Sequence, residues 1–386
     1  MTSHPTAPPY GQGTLAEVMP SAAALLGVPG MTDSLGLGDR GSGSEGDPPD
    51  SVTVLLVDGL GWSPWRELLA DTPALAGMQA RSLSTTFPST TPTALASLGT
   101  ALAPGAHGLV GAGFLLPEDD DILHPLSWGS TPHPLAVQPE TTIFERVSRA
   151  GYPVASVGPR AYADSGLTRA GLRGGQPVGG DSHAEVVEGV AMHAQGLTYA
   201  YVADLDRTGH VFGVASAEWV ASLGEIDSLV DRILDRLGER DVLLVTADHG
   251  MVDCAPHDRV RIEDLPGGGG LTRSGRARLM IGGEPRMRHI YCPPEDRDAL
   301  LMSWRQELGA RAWVLSREES IELGLFGAVL HDYDARIGDL VVVARGTTAL
   351  TSETDTIVSG LRGQHGAVTE AEMRIPLLQA HGRRRG

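Results

Sequence analysis

Asp206-Arg-Thr-Gly-His210 and Thr246-Ala-Asp248-His249-Gly250 set carboxylate beside imidazole twice within one stretch of chain. That donor set suits a pair of divalent cations kept open to substrate. Two further candidates flank them: Asp58, which closes an apolar run at Val57-Asp58-Gly59, and His365, which stands between glycines in Gly363-Gln-His365-Gly366. Singly, each has a plainer reading, because Asp-Gly makes turns and a lone histidine is usually structural. A nucleophile is offered by the hydroxyl-rich stretch Ser84-Thr-Thr-Phe-Pro-Ser-Thr-Thr-Pro-Thr93, in which Ser84, Thr85, Thr86, Ser89 and Thr90 are alternatives. Thr91-Pro92 reads as N-cap and first residue of a helix through Ala94, Leu95 and Leu98, so the stretch lies at a positive helix end that favours a phosphate or a developing alkoxide.

The elements that must position these groups are legible. Ser51–Val57 is a continuous apolar run rich in β-branched residues, as expected of a strand buried on both faces. Similar runs at Val154–Val157, Leu197–Val202 and Asp241–Val245 alternate with helical patterns, and this alternation predicts a doubly wound α/β sheet. The clearest helix covers Ser216–Leu237, with Gly238 as its stop, and another covers about Thr142–Ala150. Asp58, Asp206 and Asp248-His249 then all fall at or after carboxyl ends of strands, where open α/β sheets bind ligands. Gly36–Asp50 reads as a loop, so the core is expected to begin at Ser51. The division expected is an N-terminal extension and loop over 1–50, a catalytic domain over 51–253 and 346–386, and an inserted α+β cap over 254–345. Within the cap, His257, Arg288, His289 and Asp332 are candidates to line the site.

The 386 residues, 41% hydrophobic, suffice for a large core with an insertion. A net charge of -18 excludes a chain that binds a nucleic-acid duplex through its phosphates, leaving a small phosphorylated substrate in a local cationic pocket. The two cysteines, Cys254 and Cys292, exclude a disulfide framework and form no Cys-x-x-Cys pair. No long uncharged apolar run occurs, so no membrane partner and a cytoplasmic location are expected.

Val57-Asp58-Gly59, Thr86-Phe87-Pro88, Asp206-x-x-Gly209-His210-x-x-Gly213, Ala247-Asp248-His249-Gly250 and Gly363-x-His365-Gly366, in this order, resemble the nucleotide pyrophosphatase/phosphodiesterase family of the alkaline phosphatase superfamily. The resemblance implies an alkaline-phosphatase-like α/β/α sandwich with a mainly parallel sheet. It also implies two zinc ions (manganese or iron being tolerated by the same donors), one on Asp206, His210 and His365, the other on Asp58, Asp248 and His249. Thr86 would be the nucleophile, bound to the second ion, and the reaction would be cleavage of phosphodiester or pyrophosphate bonds through a phosphothreonine. Phe87 resembles a position that stacks on a nucleotide base, and Tyr162 is a candidate for the opposing aromatic. The chain departs from the family at Ala112, where an asparagine that stabilises phosphoryl oxygens is expected, and at Ser89, which replaces the asparagine of Thr-Phe-Pro-Asn. The same site would serve a phosphomonoesterase or a phosphomutase. A sulfatase is disfavoured because neither cysteine lies in Cys-x-Pro-x-Arg, and an inactive binding module because every ligand is present.

Overall fold

The computed structural model describes residues 4–38, 47–129, 131–269 and 279–384, so residues 39–46 of the expected Gly36–Asp50 loop lie outside the described residues. Eleven strands build two sheets: β1 (Ser51–Val57), β2 (Gln79–Ser84), β3 (Val154–Gly158), β4 (Gln176–Gly179), β5 (Gly196–Val202), β6 (Asp241–Thr246), β7 (Met280–Glu284), β8 (Met287–Tyr291), β9 (Ala312–Ser316), β10 (Leu340–Ala344) and β11 (Arg374–His381). The central sheet has the order β2-β11-β6-β1-β5-β3-β4. β1 runs parallel to β5 and β6, and β3 runs parallel to β4 and β5. Only β11 opposes its neighbours, β2 and β6. Every residue of β1 and β6 is buried, as their apolar runs require, so both faces are covered. This is the mainly parallel α/β architecture expected from the alternation of strands and helices.

The helices follow their capping signals. They include α1 (Val18–Leu25), α2 (Thr91–Thr100), α3 (Ile143–Arg149), α4 (Asp204–Phe212), α5 (Ala217–Arg236) and α6 (Arg297–Leu308). The Thr142 and Ser216 hydroxyls accept the amides of Glu145 and Trp219, fixing the starts of α3 and α5. α2 starts one residue earlier than expected. Its N-cap is Thr90, not Thr91, which frees the Thr91 hydroxyl to approach a histidine of the site.

The core does not begin at Ser51. Leu15, Val18, Met19, Ala22 and Ala23 are fully buried in the cluster that contains β1 and β6. Ahead of them, the Tyr10 hydroxyl accepts the Phe87 amide at 3.1 Å and donates to the Leu325 carbonyl at 2.8 Å. The N-terminal segment is therefore packed against the hydroxyl-rich loop over 84–93.

β7-β8-β10-β9 form a separate antiparallel sheet, with α6 packing through Leu300, Trp304 and Leu308 into a second apolar cluster. Arg259–Arg261 pairs with Ala349–Thr351, and Leu350 belongs to that second cluster, so the chain on both sides of position 345 packs together. A buried ion pair ties this unit to the first: Arg286 Nε and Nη2 donate to Glu372 at 3.0 and 2.9 Å, both side chains being wholly enclosed.

Candidate metal centre and active site

Asp58 leaves β1 with its amide bonded to the Val202 carbonyl at the end of β5. Gly59 then turns at φ +76°, where a Cβ would stand 2.9 Å from the Asp206 Cα, so glycine is required for the two aspartates to converge. Asp206 and His210 lie on α4, four residues apart and hence on one face. Asp248 and His249 follow β6 directly. The last contributor arrives by backbone pairing, since Gly363 and Gln364 pair with Asp253 and Val252 and deliver His365 beside His249. The two imidazoles stack at 3.6 Å.

All six residues come together in two groups, Asp206, His210 and His365 in one and Asp58, Asp248 and His249 in the other, the donor atoms of each lying within 4.8 Å of one another. Each imidazole turns Nδ1 to a backbone carbonyl: His210 to Gly363 at 2.8 Å, His249 to Gly250 at 3.0 Å, His365 to Ser89 at 3.0 Å. These bonds assign the proton to Nδ1 and leave the Nε2 lone pair facing inward. Burial pushes the His210 imidazole down to about 4 and His365 well below the ordinary range, so both are held neutral. His210 Nε2 and His365 Nε2 consequently face each other at 3.3 Å, two lone pairs with no proton to share.

The carboxylates carry the complementary signature. Asp58 receives the Tyr201 hydroxyl on Oδ2, and Asp248 receives the Gly59 and His249 amides on Oδ1 at 3.1 and 3.0 Å. Asp58 Oδ1, Asp248 Oδ2 and Asp206 Oδ1 are buried without a hydrogen-bond partner. Burial first, then mutual repulsion, raises the Asp58 and Asp206 carboxyls well above their usual range. Inward lone pairs and orphaned carboxylate oxygens together fit divalent cations and nothing else the protein supplies.

The hydroxyl-rich loop over 84–93 is stitched to the Asp248-His249 and His365 segments. Thr85 Oγ1 donates to the Asp248 carbonyl, the Thr91 hydroxyl lies 3.2 Å from His249 Nε2, and Ser89 Oγ donates to the Ala367 carbonyl at 2.8 Å while accepting the Gly366 amide at 3.0 Å. Ser84 Oγ donates to the Thr85 carbonyl and Thr90 Oγ1 to Thr93 Oγ1. Of the five candidate hydroxyls, Thr86 Oγ1 is the one with no hydrogen-bond partner, and it is buried. Ser89, a candidate nucleophile in the sequence, is instead committed to a clasp on the His365 loop, which is visible only once residues far apart in the chain are juxtaposed.

A cleft of about 790 Å³ opens onto the centre, with Asp58, Asp206, His210, His365 and Thr91 on its wall. Tyr162 lines it and is 47% exposed, its ring edge-on to Tyr201. Phe87, paired with Tyr162 in the base-stacking expectation, is elsewhere: it is fully buried and packs edge-on against Phe326 at 5.1 Å, because the loop's hydroxyl face is the one turned to the metal ligands. Phe87→Ala is therefore expected to cost about 3–5 kcal/mol of stability and to slow nucleotide and non-nucleotide diesters equally. Denaturant melts alongside rates on the two substrates check this; a selective nucleotide defect at unchanged stability would restore Phe87 to the binding site.

The cap candidates do not reach the cleft. His257 and Asp332 are exposed, Arg288 is buried with Asp355, and His289 is buried with its Nε2 3.0 Å from the Val110 carbonyl. The cap contributes Glu284 instead. Its carboxyl lines the cleft, lies 3.5 Å from His365 Nδ1, and is pushed up to about 8 chiefly by burial. The two cysteines stay unlinked, Cys254 buried and Cys292 half-buried. Among the described residues, no helix is long and apolar enough to cross a membrane.

The profile of the family described as type I phosphodiesterase/nucleotide pyrophosphatase matches residues 52–367, a stretch that contains all six ligand candidates and Thr86. The chain belongs to this family. Phosphopentomutase of Anaeromyxobacter sp. (strain K) is 35% identical over 141 residues, 34% of this chain and 35% of that protein. Ectonucleotide pyrophosphatase/phosphodiesterase 2 of Saccharomyces cerevisiae is 23% identical over 190 residues, 44% of this chain and 38% of that protein. The matches thus span little more than a third of the length of these curated relatives. Among solved structures, murine ectonucleotide pyrophosphatase/phosphodiesterase 5 superposes with a TM-score of 0.68 at 18% identity, covering 86% of this chain and 88% of that one. Phosphonoacetate hydrolase from Sinorhizobium meliloti 1021 superposes with a TM-score of 0.65 at 18% identity, covering 87% and 91%. At such identities the likeness is one of fold, and it extends the family's α/β architecture over nearly the whole chain.

Proposed function

We propose that this family member is a two-cation hydrolase of phosphodiester or pyrophosphate bonds that works through a phosphothreonine at Thr86. The observation that carries the reading is the orphaned Thr86 hydroxyl in a loop whose neighbours bond the Asp248 and His365 segments. Asp206, His210 and His365 would hold one divalent cation and Asp58, Asp248 and His249 the other, zinc being the ion that this neutral-imidazole and carboxylate set suits best. Cations bound there would offset phosphoryl charge and lower the pKa of a nearby hydroxyl or water.

The remaining work falls to the chain. Thr86 Oγ attacks phosphorus as the bond to the leaving oxygen breaks, and the phosphoryl group becomes esterified to Thr86; water then attacks the same phosphorus and returns the Thr86 hydroxyl. The amino end of α2 begins five residues after Thr86, where its positive dipole end would favour the anionic group. His210, His249 and His365 are oriented by their carbonyl partners, and burial keeps His210 and His365 neutral. The cap over 254–345 selects substrate through Glu284 at the cleft wall. Small phosphorus oxyanions are the class that fits: solved relatives hold AMP in murine ectonucleotide pyrophosphatase/phosphodiesterase 5 and phosphonoformate in phosphonoacetate hydrolase.

The test is hydrolysis of bis- and mono-(4-nitrophenyl) phosphate by the zinc-loaded chain. Faster turnover of the diester is expected from the family's phosphodiesterase profile and from the Glu284 carboxyl on the cleft wall; the second charge of a monoester would have to be met by the arginines that line the same cleft, Arg160, Arg169, Arg173 and Arg207. Faster monoester turnover would replace this reading with a phosphomonoesterase. The phosphopentomutase matches favour one further reading, a phosphomutase. It would show as movement of phosphate between positions of a pentose phosphate without release of inorganic phosphate.

A further inference from the structure

We infer that Tyr199 is a substrate-binding residue whose phenolic hydroxyl donates a hydrogen bond to a phosphoryl oxygen in the cleft. The inference rests on the phosphoester reading above and adds a group that neither the motifs nor the ligand set includes.

Tyr199 stands in β5 between Val54 of β1 and Ser156 of β3, and its ring is fixed edge-on against Phe144 at 6.0 Å. The residue is 3% exposed, yet it belongs to the cleft wall together with Asp58 and Thr91. Its hydroxyl has no hydrogen-bond partner among the described residues. Two positions along the same strand face, Tyr201 has a partner, donating to Asp58 Oδ2. The contrast is chemical: Tyr201 orients a ligand-bearing carboxylate, whereas Tyr199 holds an uncommitted donor.

The orphaned groups of the centre fall into two kinds. Asp58 Oδ1, Asp206 Oδ1 and Asp248 Oδ2 are acceptors that bound cations would satisfy, while hydroxyls carry a proton, and of these Thr86 is already given to the phosphoryl transfer. A phenolic O–H is a donor with a proton to place, and a cation cannot satisfy it. It needs an acceptor oxygen delivered through the cleft, and leaving a buried donor unmade is costly enough that such a group calls for an explanation. Burial, then the nearby Asp248 and Asp58, raises the Tyr199 phenol well above its ordinary range, so the proton stays on oxygen. The substrate that meets this donor is a phosphate ester, whose non-bridging oxygens are the acceptors that arrive beside Asp58. The family's asparagine position offers no competing donor, because Ala112 has no polar side-chain atom.

Tyr199→Phe keeps the ring and removes only the hydroxyl. The expected results are a fall in kcat/KM for bis-(4-nitrophenyl) phosphate of about 100-fold, the scale of losing one preorganised donor to a phosphoryl or oxyanion oxygen, and weaker binding of inorganic phosphate by calorimetry. Zinc affinity should be unchanged and the metal-free thermal midpoint unchanged or raised, since an unsatisfied donor has been removed. Tyr201→Phe should do the reverse, weakening zinc binding through Asp58. Retention of full kcat/KM and phosphate affinity in Tyr199→Phe would overturn the inference. So would a lowered metal-free midpoint or lost zinc affinity, either of which makes the hydroxyl structural. If the unaltered chain neither hydrolyses the diester nor binds phosphate, the phosphoester reading fails first and this inference with it.

Discussion

Thr86→Ala is expected to lower diester hydrolysis by roughly three to six orders of magnitude, the range found when a covalent nucleophile is removed from a site whose other parts remain. A loss of 10⁴ corresponds to about 5.5 kcal/mol of transition-state stabilisation. Stability should hardly move. Loss of the buried Thr86 γ-methyl costs about 1 kcal/mol, while the loss of an unbonded buried hydroxyl works in the opposite direction. Rate and melting temperature thus separate a nucleophile from a packing residue. Thr86→Ser should retain part of the activity because the oxygen remains. If Thr86→Ala keeps full rate, Thr85 and Thr90 are the remaining hydroxyls, but each would first have to leave a partner, the Asp248 carbonyl for Thr85 and Thr93 for Thr90.

The parts of this fold written in local sequence could be read in advance, and they are the parts whose burial is nearly complete. β1 and β6 are apolar at almost every position because helices cover both their faces, and α5 shows its buried stripe of Trp219, Leu223, Ile226, Val230 and Ile233 because its other face is wet. Asp58, Asp206 and Asp248-His249 were legible as candidates for the same reason, as polar residues stationed at or after the ends of such strands, whereas the full set of six came only with the resemblance to the family. What stayed hidden depends on contacts between distant positions. Tyr10 reaches Phe87 across 77 residues of chain, so nothing near Tyr10 marks the N-terminal segment as core. Phe87 turns toward Phe326, and no local pattern tells a buried aromatic from a base-stacking one. β7, Met-Ile-Gly-Gly-Glu, carries two glycines, which argue against a strand, yet Gly282 sits where a Cβ would come within 2.5 Å of the Gly113 carbonyl oxygen. That close approach places Glu284 at the cleft, so the cap's contribution to the centre was invisible until the two sheets were seen together.

Withdrawal of divalent cations is expected to abolish hydrolysis and to lower the thermal midpoint, with zinc restoring both. The second effect follows from what the centre looks like without positive charge: the buried Asp58 and Asp248 converge with the half-buried Asp206, the carboxyls of Asp58 and Asp206 being pushed up by desolvation and repulsion, and two imidazole lone pairs oppose each other at 3.3 Å. Such an arrangement is destabilising in itself, and a ligand bound only by the folded chain stabilises it by about 2.7 kcal/mol at a hundredfold excess over Kd. For a chain of this size that is a rise of roughly 3 °C for each ion bound. His365→Ala separates the two effects, because it removes a donor from one group and leaves the other intact. The variant should bind one zinc in place of two, recover only part of the thermal rise, and hydrolyse the diester at least about 100-fold more slowly, the upper range seen for disrupted metal shells. Zinc counted by elemental analysis, melting curves with and without chelator, and rates on one preparation give the three readouts. If chelation leaves rate and midpoint untouched, the inward-facing donors serve packing alone and the two-cation mechanism falls. If His365→Ala still binds two ions, His365 is not a ligand, and its stacking on His249 is the whole of its role.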